Sequence, residues 1–152
     1  HGKPEGYIGV DITERPGVDI VSDFMELDMD NLAGVIRAHD FIEHLPNGQK
    51  TMEKIYDTLV DGGMAFILVP STDGRGAFQD PTHISFWNEN SFWYYTRAET
   101  AAFINTYARF QVGHIETFFP SDWHRENNIS YVLAILIAVK DNQRKYGGIL
   151  SI

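Results

Sequence analysis

The chain has 152 residues, the length of a single domain, and 43% of them are apolar, which is enough for a hydrophobic core and excludes global disorder. Its 12 basic and 21 acidic residues give a net charge of −9, which argues against a nonspecific nucleic-acid partner because few basic groups are present to displace counterions. The absence of cysteine excludes disulfides, thiolate metal sites and a cysteine nucleophile. The longest apolar run, residues 131–139, is too short to span a bilayer and no signal peptide is visible, so we expect a cytoplasmic domain without a membrane partner.

Three short β-branched runs predict strands in the first forty residues. Each run is continuous rather than alternating, as is typical of strands covered on both faces. Each also ends at or near a polar residue that is a candidate for ligand binding. The runs and these residues are 7–11 with Asp11, 18–21 with Asp23, and 33–38 with His39 and Asp40.

A strand–helix–strand unit follows and is the clearest unit in the chain. Asn47 can cap a helix over residues 48–60, in which apolar side chains recur at i, i+3, i+4 and i+7 from Met52. The sequence Asp61-Gly62-Gly63 is a helix stop, and residues 64–69 have the length and composition of a buried strand. The unit predicts a right-handed crossover and a parallel sheet.

The second half of the chain begins with an irregular segment, residues 71–84. A loop of this length in a small domain usually acts as a lid or a binding loop. Beyond it the pattern predicts helical stretches at 89–95 and 98–107, then two long strands at 110–119 and 129–140 that form an antiparallel pair.

Ligands in open α/β sheets bind outside the carboxyl ends of the parallel strands, and this rule selects the polar strand ends. A carboxylate at Asp11 suits a ribose because its two oxygens can accept both hydroxyls, with a turn-capping role as the alternative. Asp23 and the aromatic Phe24 are suited to binding and stacking an adenine, with a turn-forming role for Asp23 as the alternative. His39 and Asp40 occupy the same position on the next strand.

Four segments of the sequence are similar to landmarks of a known family. Residues 6–11 (GYIGVD), 41–46 (FIEHLP) and 52–63 (MEKIYDTLVDGG) resemble, in order, motifs of class I S-adenosylmethionine-dependent methyltransferases. Residues 79–83 (QDPTH) resemble a loop motif of predicted methyltransferases with an unusually short first crossover. The resemblance implies one domain over residues 1–152 with a three-layer α/β, Rossmann-like fold, whose mostly parallel sheet ends in an antiparallel strand pair.

The first strand of that family and the glycine-rich turn after it are missing from this sequence. Gly2, Gly6 and Gly9 do not form G-x-G-x-x-G and precede the first visible strand. We therefore expect an N-terminally incomplete domain, either a fragment or a natural protein that has lost the site. The absent strand would lie between residues 7–11 and 34–38, and we expect these two strands to pair directly, with a strand donated by a second copy in a homodimer as the alternative.

The resemblance implies methyl transfer from S-adenosylmethionine to an oxygen or nitrogen of a small molecule or glycan. Without the glycine turn, we expect this chain to bind the cofactor weakly or not at all. The alternative is a methyltransferase-like module that does not catalyse and serves as a binding or assembly partner. The resemblance implies Asp11 at the ribose, Asp23 and Phe24 at the adenine, and His39 and Asp40 facing the methyl group and the acceptor. Ile12 is a further cofactor-binding candidate.

The long loop contains the candidates for acid–base chemistry. His83, next to Asp80 in the QDPTH segment, can accept a proton near neutral pH, and the alternative is that it only ties down the loop. His44 and Trp87 are candidates for contact with the acceptor, with structural packing as the alternative. His39 and His44 lack a third ligand at helical spacing, so the sequence predicts no metal site.

Overall fold

Strands and helices alternate along residues 3–141, the part of the chain that the computed structural model describes. The strands are β1 Val10–Asp11, β2 Ile20–Val21, β3 Ala33–His39, β4 Leu59–Pro70, β5 Phe110–Phe118 and β6 Tyr131–Ala138. The α-helices are α1 Gly48–Thr58, α2 Gly76–Gln79, α3 Trp93–Thr96, α4 Ala98–Ile104 and α5 Asp122–Glu126, with 3-10 turns at Phe24–Glu26, Ile42–His44 and Glu89–Phe92. Within residues 3–141, no helix combines the length and apolar character needed to cross a membrane. Gly2 lies outside the described residues.

The main sheet has four strands in the order β3-β4-β6-β5. β3 pairs with β4 in parallel, and β6 runs antiparallel to both of its neighbours. Because α1 connects β3 to β4, the predicted strand–helix–strand unit is confirmed. The predicted α/β class, with an antiparallel pair at the end of the sheet, is confirmed as well.

A local cap sets the start of α1, and burial in the sheet sets its end. The Asn47 side chain accepts a hydrogen bond from the Lys50 amide at 3.0 Å, which is the predicted N-cap. The helix ends at Thr58, earlier than the predicted stop, because the fully buried Leu59 is drawn into β4 opposite Ala33. A chain that enters the sheet this soon keeps α1 close to β3 and β4.

The hydrophobic core lies on one face of the main sheet. Side chains alternate along β4 and β6, so that one set is fully buried and the other is half-buried. The helices and turns add Met52, Ile55, Phe92 and Tyr95 to this core. The buried strand positions are Ala65, Ile67 and Val69 on β4 and Val132, Ala134, Leu136 and Ala138 on β6.

β1 and β2 form a separate parallel pair that is not hydrogen-bonded to β3. A groove of about 690 Å³ separates β1 from β3. The prediction that residues 7–11 pair directly with residues 34–38 is therefore wrong. The two units are in contact beyond the strands, where the Phe24 ring packs edge-on against Phe41 with ring centroids 6.0 Å apart.

The segment 71–84 is less irregular than the sequence predicts, because it contains α2 and is hydrogen-bonded on both sides. The Arg75 amide donates to the Asn128 carbonyl at 2.8 Å, and the Ile84 amide donates to the Glu43 carbonyl at 2.8 Å. Gly76 lies so close to Ile129 that a Cβ at this position would come within 2.6 Å of its Cγ2. The glycine therefore permits the close approach of α2 to the start of β6.

Candidate functional site

The groove between β1 and β3 is the first of two cavities, and it runs along β3 from Ala33 to the carboxyl end of the strand at His39. Of the residues that the resemblance assigns to the cofactor, Asp11, Phe24, His39 and Asp40 line it. They follow three different strands, so the sheet topology brings them together as the strand-end rule expects.

Asp11 has both a structural contact and remaining acceptor capacity. Its Oδ1 accepts the Thr13 amide at 2.8 Å, which is the turn role considered as the alternative. Its Oδ2 lies 3.9 Å from the Arg15 Nε at the surface, a separation at which an exposed ion pair contributes little. The carboxylate thus retains lone pairs on the groove side of β1 for hydroxyl donors.

Asp23 and Ile12 do not line the groove. The Asp23 carboxylate accepts the Met25 amide at 2.9 Å and caps the turn Phe24–Glu26, which is its turn-forming alternative. Ile12 is 75% exposed. Phe24 is therefore the member of this group that presents an aromatic ring to the groove.

His39 and Asp40 lie where β3 ends. Burial, followed by the charge of Arg37, lowers the pKa of His39, so this imidazole is neutral near pH 7. Asp40 adopts a left-handed backbone conformation with φ of 46°, and its amide donates to the Leu68 carbonyl at 3.0 Å. This turn places Asp40 on the walls of both cavities.

The second cavity, of about 220 Å³, adjoins the groove at Asp40. We call it the acceptor cavity. It brings together His83 and Asp80, the predicted catalytic pair, with His44, a predicted acceptor contact. The rings of His44 and His83 meet edge-on with centroids 5.1 Å apart. Its other walls are Glu43, Pro70, Gly76, Gln79, Ile129 and Tyr131.

The backbone of Glu43 fixes the position of His83. The amides of Ile84 and Ser85 both donate to the Glu43 carbonyl, at 2.8 and 3.0 Å. These bonds hold the loop after α2 against the turn Ile42–His44. His83, the residue before this anchor, is consequently held beside His44 and its side chain is only 8% exposed.

Hydrogen bonds define which nitrogen of His83 is free. Its Nδ1 lies 3.0 Å from the Ala77 carbonyl oxygen, which can only accept, so Nδ1 carries the proton. In the neutral ring the lone pair is then on Nε2, which lies 3.7 Å from the Asp80 Oδ2. Two hydrogen bonds from Thr82, one from its hydroxyl and one from its amide, lower the pKa of Asp80 and keep it ionised.

The same reasoning applies to His44. The Thr82 hydroxyl donates its hydrogen to Asp80 at 2.7 Å, so towards His44 Nδ1 this oxygen can only accept. The Thr82 carbonyl oxygen also lies 3.2 Å from Nδ1. His44 therefore donates from Nδ1, and its Nε2 lies 3.8 Å from the Glu43 Oε1.

The buried carboxylate of Glu43 was not identified as a site residue from the sequence. Glu43 is 2% exposed, and neither of its carboxylate oxygens has a hydrogen-bond partner among the described residues. Burial, with a further contribution from Asp40, raises the pKa of Glu43. Its place in FIEHLP, directly before a candidate histidine, was the signal that could have found it.

One aromatic residue lies away from its predicted place, and another lines a cavity without having been singled out from the sequence. Trp87 lines neither cavity: it is 3% exposed, stacks on Phe92 at 5.4 Å, and donates from its indole nitrogen to the Ser85 hydroxyl at 2.9 Å. Tyr131, which was not singled out from the sequence, lines the acceptor cavity at the start of β6. Burial and the neighbouring Asp40 carboxylate raise the pKa of Tyr131 to about 12, so its hydroxyl is protonated at neutral pH.

No protein-family profile matches the sequence, and no curated protein matches it either. Solved structures do match. A Burkholderia thailandensis 1,6-didemethyltoxoflavin-N1-methyltransferase with bound S-adenosylhomocysteine superposes with a TM-score of 0.63 at 16% identity, covering 86% of this chain and 60% of that one. An S-adenosylmethionine-dependent methyltransferase from Archaeoglobus fulgidus has a TM-score of 0.53 at 19% identity, covering 86% and 75%. A 16S rRNA (adenine(1408)-N(1))-methyltransferase from Catenulisporales acidiphilia, with S-adenosylmethionine, has a TM-score of 0.52 at 9% identity, covering 83% and 63%.

Sequence identities of 9–19% support a conclusion about the fold alone. The chain spans 60% of the length of the Burkholderia enzyme, less than two thirds of it. The resemblance seen in four sequence segments is thus confirmed at the level of three-dimensional structure. The chain has the fold of the class I S-adenosylmethionine-dependent methyltransferases.

Proposed function

We propose that the protein transfers a methyl group from S-adenosylmethionine to an oxygen or nitrogen of a small molecule or glycan. The groove between β1 and β3 holds the cofactor, and the acceptor cavity holds the methyl acceptor. The observation that carries this proposal is that Asp40 lines both cavities at the end of β3. Methyl transfer needs donor and acceptor side by side, and adjoining cavities meet this need.

The residues of the groove fit the parts of the cofactor. The Asp11 carboxylate accepts hydrogen bonds from ribose hydroxyls, and the Phe24 ring offers a stacking face for adenine. His39 is neutral near pH 7 because its pKa is lowered, so it does not repel a sulfonium cation. When bound, S-adenosylmethionine supplies an activated methyl group, so the protein needs mainly to position the acceptor.

The acceptor cavity contains bases for the proton that a hydroxyl or amine acceptor loses. The free Nε2 of His83 and the ionised Asp80 lie 3.7 Å apart at the cavity wall. A proton released in the cavity can pass to either group. The acid–base role that the sequence predicts for His83 and Asp80 is part of this proposal.

The size and charge of the acceptor cavity indicate the class of acceptor. Its volume of about 220 Å³ fits one ring or one sugar rather than a large molecule. Three carboxyl groups line it, Asp40, Glu43 and Asp80, and the chain carries a net charge of −9. Both features disfavour a polyphosphate backbone and support a neutral or cationic small molecule or a glycan.

A binding experiment tests the proposal. S-adenosylmethionine and S-adenosylhomocysteine are each added to the protein and the melting temperature is recorded, with ATP and NAD as comparison nucleotides. We expect stabilisation by the first two alone, because any compound that binds only the folded state raises the melting temperature. Equal effects of all four compounds, or of none, would contradict the proposal.

One observation favours a second candidate function, a methyltransferase-like binding module without catalysis. In the described part of the chain, no glycine-rich turn between a strand and a helix lines the groove. The groove therefore offers contacts for the ribose and the adenine but no such turn to bind the methionine end of the cofactor. Under this function S-adenosylhomocysteine binds no more tightly than adenosine does. A clear preference for S-adenosylhomocysteine over adenosine would favour the enzyme.

A further inference from the structure

Glu43, His44 and His83 form a cluster of three metal-ligating side chains in the wall of the acceptor cavity. One ligand atom of each lies within 4.8 Å of the other two. The cluster joins a turn after β3 to a loop after β4, and the two hydrogen bonds to the Glu43 carbonyl hold these segments together. The donors are thus placed by the fold and not by a flexible surface.

In the neutral form of each histidine, hydrogen bonding leaves the Nε2 lone pair available for a metal ion. Each commits its Nδ1 hydrogen to a backbone carbonyl, that of Thr82 for His44 and that of Ala77 for His83. The Nε2 atoms are then pure acceptors. A hydrogen bond from the second ring nitrogen to a carbonyl is the usual arrangement of a metal-binding histidine, since it fixes both tautomer and ring orientation.

The carboxylate of Glu43, the third member of the cluster, accepts no hydrogen bond from the described residues. Glu43 is 2% exposed, and both carboxylate oxygens lack a hydrogen-bond partner among the described residues. A buried carboxylate without a partner destabilises the fold unless a proton or a cation neutralises it. Three acceptors facing one another, one of them anionic and buried, make a site that a cation would complete.

We propose that Glu43, His44 and His83 bind a divalent first-row transition-metal ion, such as zinc or manganese. Two imidazoles and one carboxylate are the donors that such ions prefer, whereas magnesium and calcium prefer oxygen ligands alone. Metal–ligand bonds of roughly 2.0 to 2.2 Å place the ligand atoms of a tetrahedral site about 3.4 Å apart. Donors that already lie within 4.8 Å need only a side-chain adjustment of roughly 1 Å to close on the ion.

The inference differs from the sequence prediction of no metal site. That prediction compared His39 with His44 and found no third ligand at helical spacing. In the structure His39 lies on the groove, whereas the third ligand, His83, comes from a distant loop. A cluster that depends on tertiary contacts has no signature in local spacing.

The metal site deepens the proposed function and rests on it for its role in catalysis. An ion held by three protein ligands has coordination positions open to the acceptor cavity, where a hydroxyl oxygen of the acceptor can bind. Coordination lowers the pKa of that hydroxyl. Its O–H bond breaks, the electron pair stays on the oxygen, and the proton passes to solvent water by way of the exposed Asp80, which lies 3.7 Å from the His83 Nε2 and outside the ligand set. The site thus favours an oxygen nucleophile.

Metal binding is tested directly, without an activity assay. Tag-free protein is stripped with a chelator and titrated calorimetrically with zinc or manganese chloride, and we expect one ion per chain. The variants Glu43→Gln and His83→Ala should each weaken binding at least tenfold. His124→Ala, which removes a histidine outside the cluster, is the matched control and should leave the affinity unchanged.

The glutamine variant separates loss of a ligand from loss of the fold. Because it removes an unpaired buried charge, metal-free Glu43→Gln should melt at or above the temperature of the metal-free wild type, while losing the stabilisation that zinc gives. Binding that is unchanged in both ligand variants would overturn the proposal. Displacement of zinc by an equal concentration of magnesium would overturn it too.

Titration of S-adenosylhomocysteine into the same chelated protein distinguishes this inference from the proposed function. Zinc binding without S-adenosylhomocysteine binding supports the metal site and counts against the methyltransferase. S-adenosylhomocysteine binding without zinc or manganese binding supports the methyltransferase and overturns the metal site.

Discussion

In the proposed cofactor site, the Asp11 carboxylate accepts hydrogen bonds from the ribose hydroxyls, which is the most specific role assigned to a single residue. Replacing it with alanine should weaken S-adenosylhomocysteine binding by about 2 kcal/mol, the scale of one or two charge-assisted hydrogen bonds. Isothermal titration measures the difference. Asp122→Ala, which removes an exposed carboxylate on α5 far along the chain, should have no effect. An unchanged affinity in Asp11→Ala, with the fold intact, would remove Asp11 from the site.

His39 should make the stability of the protein depend on pH in the weakly acidic range. Its folded-state pKa is lowered by burial and by Arg37, so below the unfolded value of about 6.5 the unfolded chain binds a proton that the folded chain does not. The free energy of unfolding therefore falls as the pH falls through this window. Urea denaturation gives the free energy of unfolding at about pH 7.5 and at about pH 5.5. The difference between these two free energies should be smaller in His39→Gln than in the wild type. Equal differences in the two proteins would refute this assignment.

Individual residues also show where sequence reasoning reaches its limit. The Asn47 cap could be predicted because its partner, Lys50, is three positions away. The tautomers of His44 and His83 could not, because they are set by carbonyls that tertiary contacts bring near. For Asp23 the turn role and the adenine role had equal support in the sequence, and the observed hydrogen bond to the Met25 amide is that of the turn.

At the level of elements, α1 should depend on its N-cap. Asn47→Ala should lower the free energy of unfolding by about 1 kcal/mol, because the Lys50 amide loses its acceptor at the exposed helix start. Asn47→Ser, which keeps a capping oxygen, should recover most of the loss. Urea denaturation followed by circular dichroism measures both, and equal stabilities of the alanine and serine variants would argue against capping as the cause.

The packing of α2 against β6 makes a second prediction about elements. Gly76→Ala places a Cβ within 2.6 Å of the Ile129 Cγ2 and should destabilise the protein by about 1–3 kcal/mol through overpacking. Gly34→Ala is the control, since a Cβ there meets no atom within 4 Å. In a double-mutant cycle, Ile129→Ala should relieve part of the cost of Gly76→Ala. Strictly additive effects would show that the close contact is not the cause.

The elements that the sequence predicted well are those with local signals. β3, α1, β4 and the antiparallel β5–β6 pair follow from apolar runs, one helical stripe and one cap. The boundary between α1 and β4 was misplaced because burial of Leu59 in the sheet outweighs the glycine stop that follows it. α5 was not expected within a polar loop, although Ser121 caps it.

Across the whole molecule, the main difference between sequence and structure is the groove. Direct pairing of residues 7–11 with 34–38 was expected because unpaired strand edges cost free energy. In the structure the two units meet at the Phe24–Phe41 contact, and a cavity of about 690 Å³ lies between the strand edges. Contacts between residues this far apart in the chain are not encoded in local patterns, and the cavity they leave is where the proposed cofactor site lies.

The central claim is that this groove binds the nucleoside end of S-adenosylmethionine beside the acceptor cavity. Titration of isotope-labelled protein with S-adenosylhomocysteine, followed by amide chemical shifts, tests it most directly. We expect saturable shifts at Asp11, Phe24, His39 and Asp40, with an affinity weaker than micromolar because the glycine-rich cradle is missing from the described residues. Shifts that are absent, or that centre on residues away from the groove, would contradict the claim.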